Sequence, residues 1–169
     1  DMRMDQNANL TARDVVNEYS QDELTKIFYD YGEEKFSYLI AKKIVSARNI
    51  KPINTTFELV EIIKSALPAA VLRKGKHPAK KVFQAIRIEV NSELSVLTNV
   101  LPDAIDILKK GGRLCVITFH SLEDRIVKQI FKKYSELDEM VKGLPNIPDE
   151  YKPIIKLINN KPIVASEIE

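Results

Sequence analysis

Hydrophobic residues recur at helical spacing through the first 67 positions of the chain. Leu24, Ile27, Phe28 and Tyr31 fall at positions i, i+3, i+4 and i+7, which is one face of an α-helix. Gly32 follows and is predicted to stop that helix in the left-handed conformation. The same spacing returns twice, in Phe36, Leu39, Ile40, Ile44 and Ala47 and then in Leu59, Ile62, Ile63 and Ala66.

Capping signals support the helical pattern. A Ser or Thr followed three positions later by Asp or Glu satisfies free amides at a helix start. The pattern runs from Thr11 to Asp14, from Ser20 to Glu23 and from Thr55 to Glu58. Three starts predict at least three helices, so the first 70 residues are predicted to form an all-helical module.

A longer helical pattern follows. It is predicted to run from about Pro78 into the high nineties, because proline suits a first turn and one face would carry Phe83, Ile86, Val90, Leu94 and Leu97. Pro102 is predicted to start or kink a further helix, which ends at Gly111 and Gly112.

The period changes at residues 114–119. This short apolar run contains β-branched residues and is typical of a parallel strand buried on both faces, with Cys115 inside it. A fourth capping signal, from Ser121 to Asp124, predicts another helix. Helix, Gly-Gly turn, strand and helix make one unit of an α/β sheet, and such a strand needs neighbouring strands. Residues 162–164 are a candidate edge strand.

Composition indicates an ordinary globular chain, with 44% hydrophobic and 30% charged residues. No stretch approaches the roughly 20 apolar residues that a membrane helix needs, and the amino terminus does not resemble a signal peptide. We therefore expect a cytoplasmic protein with no membrane partner. A single cysteine excludes an intrachain disulfide or thiolate metal cluster.

Charge is unevenly distributed. Residues 72–88 carry six Lys and Arg and no acid, whereas both flanking regions are slightly acidic. This segment is a candidate phosphate contact, with Gln84 or Asn91 able to reach a base edge; the alternative is a solvated helix face. The candidate RNA-binding residues are Arg73, Lys74, Lys76, His77, Lys80, Lys81, Gln84 and Arg87.

A second cluster follows the predicted strand. Ligands of open α/β sheets bind at the carboxyl ends of strands, so we take this turn as the candidate catalytic rim. The alternative is that Ser121 and Asp124 only cap the helix. The candidate catalytic residues are His120, Ser121, Glu123, Asp124 and Arg125.

Other chemistries find little support in the sequence. The two histidines, His77 and His120, are far apart and lack a second ligand at metal-site spacing, so no metal site is expected. No glycines of a nucleophile elbow flank Ser121. The five glycines form no phosphate-binding loop, so no cofactor-binding residue is assigned in this chain.

Four blocks of sequence carry a family resemblance. They are residues 1–5 (DMRMD), residues 31–36 (YGEEKF), residues 77–80 (HPAK) with 83–88 (FQAIRI), and residues 111–114 (GGRL) with 119–128 (FHSLEDRIVK). Together and in this order they resemble the ribosomal RNA small subunit methyltransferase H family, also called the MraW family. Its members use S-adenosylmethionine to methylate N4 of a cytidine in the decoding region of 16S ribosomal RNA.

The resemblance implies a class I methyltransferase of Rossmann-like α/β fold with an all-helical insertion domain, of which this chain is the carboxy-terminal half. Residues 1–76 would be the helical insertion and residues 77–169 the carboxy-terminal portion of the methyltransferase domain. The S-adenosylmethionine ligands would precede Asp1. The family's Asn-Pro-Arg-rich segment and final strand would follow Glu169.

For function, the resemblance implies that residues 120–125 rim the catalytic cleft and that the basic segment approaches 16S ribosomal RNA in the small subunit. Without the cofactor segment, the chain is expected to be inactive alone. Unpaired strand edges would favour a homodimer or other self-association. The alternative is a non-catalytic helical module that binds RNA or protein.

Overall fold

The computed structural model describes residues 1–73, 75, 77–137, 139–141, 143, 145–159 and 161–164. The chain divides into two compact units, Asp1–Glu93 and Leu94–Glu169. Helices are the only regular elements among the described residues. None of the helices in the described ranges is both long and apolar enough to cross a membrane.

The first unit is a helical bundle, as predicted. Thr11, Ser20 and Thr55 each cap a helix, and each side chain accepts the amide hydrogen of the acidic residue three positions later while that carboxylate accepts the cap amide. The helices of this unit are α1 (Ala12–Glu18), α2 (Gln21–Asp30), α3 (Ser37–Arg48), α4 (Thr56–Ala66), α5 (Ala69–Leu72) and α6 (Lys80–Asn91).

One hydrophobic core holds this bundle together. Helix α2 packs against α3 and α6, α3 also packs against α4, and α1 packs against α3 and α6. The predicted face of α2 is inside: Leu24 and Phe28 are fully buried and Ile27 nearly so. Burying a side chain of this size stabilises the fold by roughly 1.5–3 kcal/mol, so α2 is anchored mainly by this face.

Gly32 serves a different purpose from the predicted one. Its φ is not positive; the next residue, Glu33, has φ 47° instead. A Cβ atom on Gly32 would lie 2.6 Å from the carbonyl oxygen of Phe28 and 2.9 Å from that of Lys81. The glycine is therefore needed for close approach of the end of α2 to α6.

The single long helix predicted after Pro78 is wrong. Helix α6 ends at Asn91, because Ser92 adopts the left-handed conformation with φ 50° and ψ 36°. Helix α7 then runs over Glu93–Asp106 with Pro102 inside it, so Pro102 does not begin a helix. The Leu94 and Leu97 positions consequently belong to a different helix from Phe83 and Ile86.

The second unit contains α7 from Leu94 onward, α8 (Ser121–Ser135) and the short 3₁₀ turns Glu139–Val141 and Asp149–Tyr151. The amides of Ile154 and Ile155 donate to the carbonyl oxygen of Tyr134 at 3.0 and 3.3 Å, which fixes the following segment to the end of α8.

The predicted strands are not formed in this structure. Residues 112–118 and 162–164 have no regular structure, and Phe119 is 88% exposed. Cys115, expected to be buried, is exposed. A strand requires an adjacent strand for its backbone hydrogen bonds, and no segment in the described part of the chain supplies one. The predicted domain boundary between residues 76 and 77 marks the end of an inserted sequence segment. The division into compact units does not test that boundary, so it stays a prediction.

Candidate functional site

The amino-terminal turn of α8 is built by a capping box shifted by one residue from the predicted one. His120, not Ser121, is the cap: its Nδ1 accepts the amide of Glu123 at 3.5 Å. In return the Glu123 carboxylate accepts the amides of Phe119 at 2.7 Å and His120 at 3.3 Å. Glu123 is thereby committed to holding the turn.

The imidazole of His120 is largely enclosed. Its side chain is 10% exposed, and Nε2 is buried without a hydrogen-bond partner in the described part of the chain. Nε2 lies 3.7 Å from Glu123 Oε2. The histidine therefore shapes the turn rather than facing solvent.

Asp124 is the more accessible carboxylate of this turn. Its Oδ2 accepts from Lys128 Nζ at 2.6 Å, one helical turn away, and its side chain is 32% exposed. Asp124 also lies in the first turn of α8, where the helix dipole stabilises negative charge. Ser121 and Arg125 are exposed in the same turn, and both take part in contacts within the chain. A partly exposed carboxylate acceptor is thus available at the start of α8.

The predicted RNA-binding residues that the structure describes fall into two groups. Three of them have internal roles in the first unit: Lys81 Nζ donates to the Glu33 carbonyl at 2.6 Å, Gln84 Nε2 donates to the Tyr31 carbonyl at 3.1 Å, and Arg87 forms a two-point ion pair with Glu93 at 2.8 and 3.0 Å. These contacts join α6 to the end of α2 and to the start of α7.

The other group is free for a ligand. Arg73, His77 and Lys80 are exposed and have no hydrogen bond or ion pair from their side chains to any described residue. Helix α6 begins at Lys80 without a side-chain cap, so its first amides add partial positive charge there. Lys74 and Lys76 lie outside the described residues.

Asn91 has a structural role that the sequence did not reveal. Its Oδ1 accepts the Met4 amide at 2.7 Å, and its Nδ2 donates to the carbonyls of Met2 and Arg87, both at 2.9 Å. Met2 has φ 68°, a conformation that costs of order 1–3 kcal/mol and persists only when surroundings enforce it. Asn91 therefore fixes the DMRMD segment on α6 and does not reach for a base edge.

Two tyrosines flank this helix. The Tyr19 hydroxyl donates to Glu89 Oε1 at 2.7 Å, and burial together with that carboxylate raises the pKa of Tyr19. Burial, followed by the charge of Glu89, also raises the pKa of Tyr31. Both phenols remain protonated in the folded bundle over the physiological pH range. Tyr19 hydrogen-bonds to α6, and both rings pack against the core.

Comparison with known proteins covers the whole chain. The family model of the MraW methylase family matches residues 1–169. Similar curated proteins include two named ribosomal RNA small subunit methyltransferase H, from Exiguobacterium sibiricum and from Lactobacillus delbrueckii subsp. bulgaricus, each 59% identical over 169 residues. Those alignments include 100% of this chain and 54% of each relative. The chain thus spans about half the length of the curated relatives it matches.

Proposed function

The chain belongs to the MraW methylase family, and from that membership we propose that the whole protein is a methyltransferase acting on small-subunit ribosomal RNA. The observation that carries the proposal is the match across all 169 residues, with 59% identity to relatives named for this activity. We further propose that the methyl acceptor is N4 of a cytidine in 16S ribosomal RNA and that the reaction takes place in the cytoplasm.

S-adenosylmethionine is the proposed methyl donor. The residues described here do not fit its binding loop: Gly111 and Gly112 follow a helix and precede an irregular segment, rather than joining a strand to a helix. We therefore assign no residue of this chain to the donor. Its ligands are proposed to lie in the part of the relatives that this chain does not match.

The proposed role of this chain is to align the cytidine that accepts the methyl group. A cytidine amine loses a proton on methylation, so a site needs an acceptor for the amine hydrogens and a fixed base orientation. Asp124 supplies such an acceptor, a carboxylate that is partly exposed at the start of α8. Glu123 and His120 hold the turn that presents it. Ser121 and Arg125 form the rest of the proposed catalytic rim.

RNA contacts are proposed for the free basic residues. Arg73, His77 and Lys80 are exposed, and the lysine and arginine would neutralise phosphates without reading sequence. Lys81, Gln84 and Arg87 have internal partners, so their contribution would be indirect.

The fold of the whole protein is proposed to be Rossmann-like, with residues 1–76 as a helical insertion. In the irregular segment, residues 114, 116 and 118 are half-buried whereas 113, 115, 117 and 119 are exposed. Alternating exposure is the pattern of a strand with one face covered, so this segment would join a sheet completed elsewhere in the protein. Homodimer formation stays a prediction.

Asp124→Asn tests the proposed role in the full-length protein. We expect at least about a tenfold loss of methyl transfer, because hydrogen bonds to a charged group contribute about 1.5–3 kcal/mol. The measurement is transfer of radiolabelled methyl from S-adenosylmethionine to purified small ribosomal subunits. Lys128→Gln, which removes only the ion pair of Asp124, is the matched control and should retain activity. Full activity of the Asp124 variant would overturn its assignment.

A further inference from the structure

A second acid-free stretch lies in the helical bundle. Residues 35–51 contain five basic residues and no Asp or Glu, whereas residues 5–34 contain eight acidic and two basic residues. Acidic and basic residues nearly balance over the whole first unit, so its net charge does not reveal that they are segregated along the sequence. The basic residues of the stretch are Lys35, Lys42, Lys43, Arg48 and Lys51.

Two of these residues are occupied. Arg48 donates to the carbonyls of Val16, at 2.8 Å, and Tyr19, and Lys51 forms an ion pair with Glu58 at 3.2 Å. Lys42 and Lys43, in contrast, are exposed on α3 and have no ion pair within the described ranges. They therefore carry uncompensated positive charge.

Apolar groups accompany the two lysines on the same face. Helix α3 buries Ile40, Ala41 and Ile44, which leaves Tyr38 and Leu39 on the opposite side at 54% and 45% exposure. Tyr38 precedes Lys42 by four residues and Leu39 precedes Lys43 by four, so each pair is adjacent on the helix surface. We call Tyr38, Leu39, Lys42 and Lys43 the α3 basic face.

The neighbouring helices do not neutralise this face through ion pairs. On α4, Glu58 is paired with Lys51 and Glu61 is paired with Lys64 at 2.7 Å. On α2, the Glu23 carboxylate accepts the amide and hydroxyl of its own cap, Ser20. The α3 basic face thus has local charge complementarity to a polyanion.

We propose that the α3 basic face binds single-stranded RNA. Lys42 and Lys43 contact phosphates, and the exposed ring of Tyr38 stacks on a base, which is the combination used by proteins that bind single strands. An acidic protein would use the lysines but would gain no stacking from the ring. The inference rests on the proposed function in taking RNA as the partner, and it adds a contact surface separate from the basic segment.

The test is a fluorescence anisotropy titration of the chain with a labelled 12-nucleotide single-stranded RNA at several salt concentrations. Lys42→Gln/Lys43→Gln should weaken binding at least about tenfold and reduce the salt slope by about 1.4, since each phosphate contact on a single strand contributes about 0.7. Tyr38→Ala should weaken binding at least about fivefold through lost stacking.

Matched controls distinguish binding by the α3 basic face from a general effect of net positive charge. Lys109→Gln/Lys110→Gln changes the same charge at two exposed lysines elsewhere, and Tyr38→Phe keeps the ring; both should bind within about twofold of the unaltered chain. Circular dichroism verifies that each variant is folded. Absence of RNA binding, equal losses in the control lysine pair, or sensitivity to the lysines without sensitivity to Tyr38→Ala would each overturn the inference.

Failure of the proposed function has a different signature. Methyl transfer by the full-length protein together with α3 variants that bind RNA normally would overturn only this inference. Loss of RNA binding in the α3 variants without any methyl transfer by the full-length protein would overturn only the proposed activity.

Discussion

At the scale of single residues, Gly32 is a position where the bundle leaves no room for a side chain. The Cβ atom of an alanine would meet two backbone oxygens at 2.6 and 2.9 Å, and neither can rotate away as a side chain would. Gly32→Ala should therefore destabilise the chain by roughly 1–3 kcal/mol, the usual range for overpacking. Urea denaturation measures this. Asp30→Ala, at an exposed neighbour, should change the unfolding free energy by less than about 0.5 kcal/mol; equal midpoints for the two variants would contradict the steric account.

Residue-scale roles were the hardest to predict from sequence. Residues 72–88 form one basic segment in the sequence. In the structure, however, Lys81 and Gln84 donate hydrogen bonds to backbone carbonyls about 50 positions away, those of Glu33 and Tyr31. Only packing of α6 against α2 creates those partners. The α8 cap was misplaced for a simpler reason: Ser121 with Asp124 fits the Ser/Thr capping pattern, whereas the cap in the structure is a histidine, which that pattern does not include.

At the scale of elements, the capping boxes make the stability of the helices fall at acid pH. Hydrogen bonds from the Asn54 amide and from Lys51, together with the Thr55 amide, lower the pKa of Glu58 from 4.5 to about 2. Hydrogen bonds from Thr11 and Ser20 likewise lower the pKa values of Asp14 and Glu23. A carboxylate with a lowered pKa in the folded state stabilises fully above its unfolded pKa and loses that contribution as pH falls through the folded value.

Thermal melts between pH 5 and pH 2 therefore test the capping boxes. We expect the melting temperature to fall from about pH 4.5 towards pH 2, and Glu58→Gln to fall less steeply, because a glutamine caps without titrating. Glu61→Gln, on the exposed side of the same helix, is the matched control and should follow the unaltered chain. A Glu58 variant with unchanged pH dependence would contradict the assignment.

Elements defined by local signals were predicted well. The helices α1, α2 and α4 could be predicted because a cap and an apolar face are both encoded within about ten residues. The break at Ser92 could not, because no glycine or proline marks it and a serine rarely adopts φ 50°. The strand at residues 114–119 depends on partners distant in sequence, so local pattern alone was insufficient.

At the scale of the whole molecule, the two units contribute in different ways to the proposed activity. The helical unit offers the exposed basic residues Arg73, His77 and Lys80 and the α3 basic face. The second unit offers the Asp124 carboxylate at the start of α8. The sequence motifs predicted the family, and the family model confirmed it across the chain. The structure reduces the number of site residues that are available to a ligand. Among the candidates, these have hydrogen bonds or ion pairs within the chain: Glu123, Lys81, Gln84 and Arg87.

The most direct test of the central claim is nucleoside mass spectrometry of 16S ribosomal RNA. Small ribosomal subunits isolated without the modification would be incubated with the full-length protein and S-adenosylmethionine, digested and analysed. The account predicts N4-methylated cytidine at a single position, formed only when protein and donor are both present. Methylation at another atom, or none when the folded full-length protein is bound to the subunit, would contradict it.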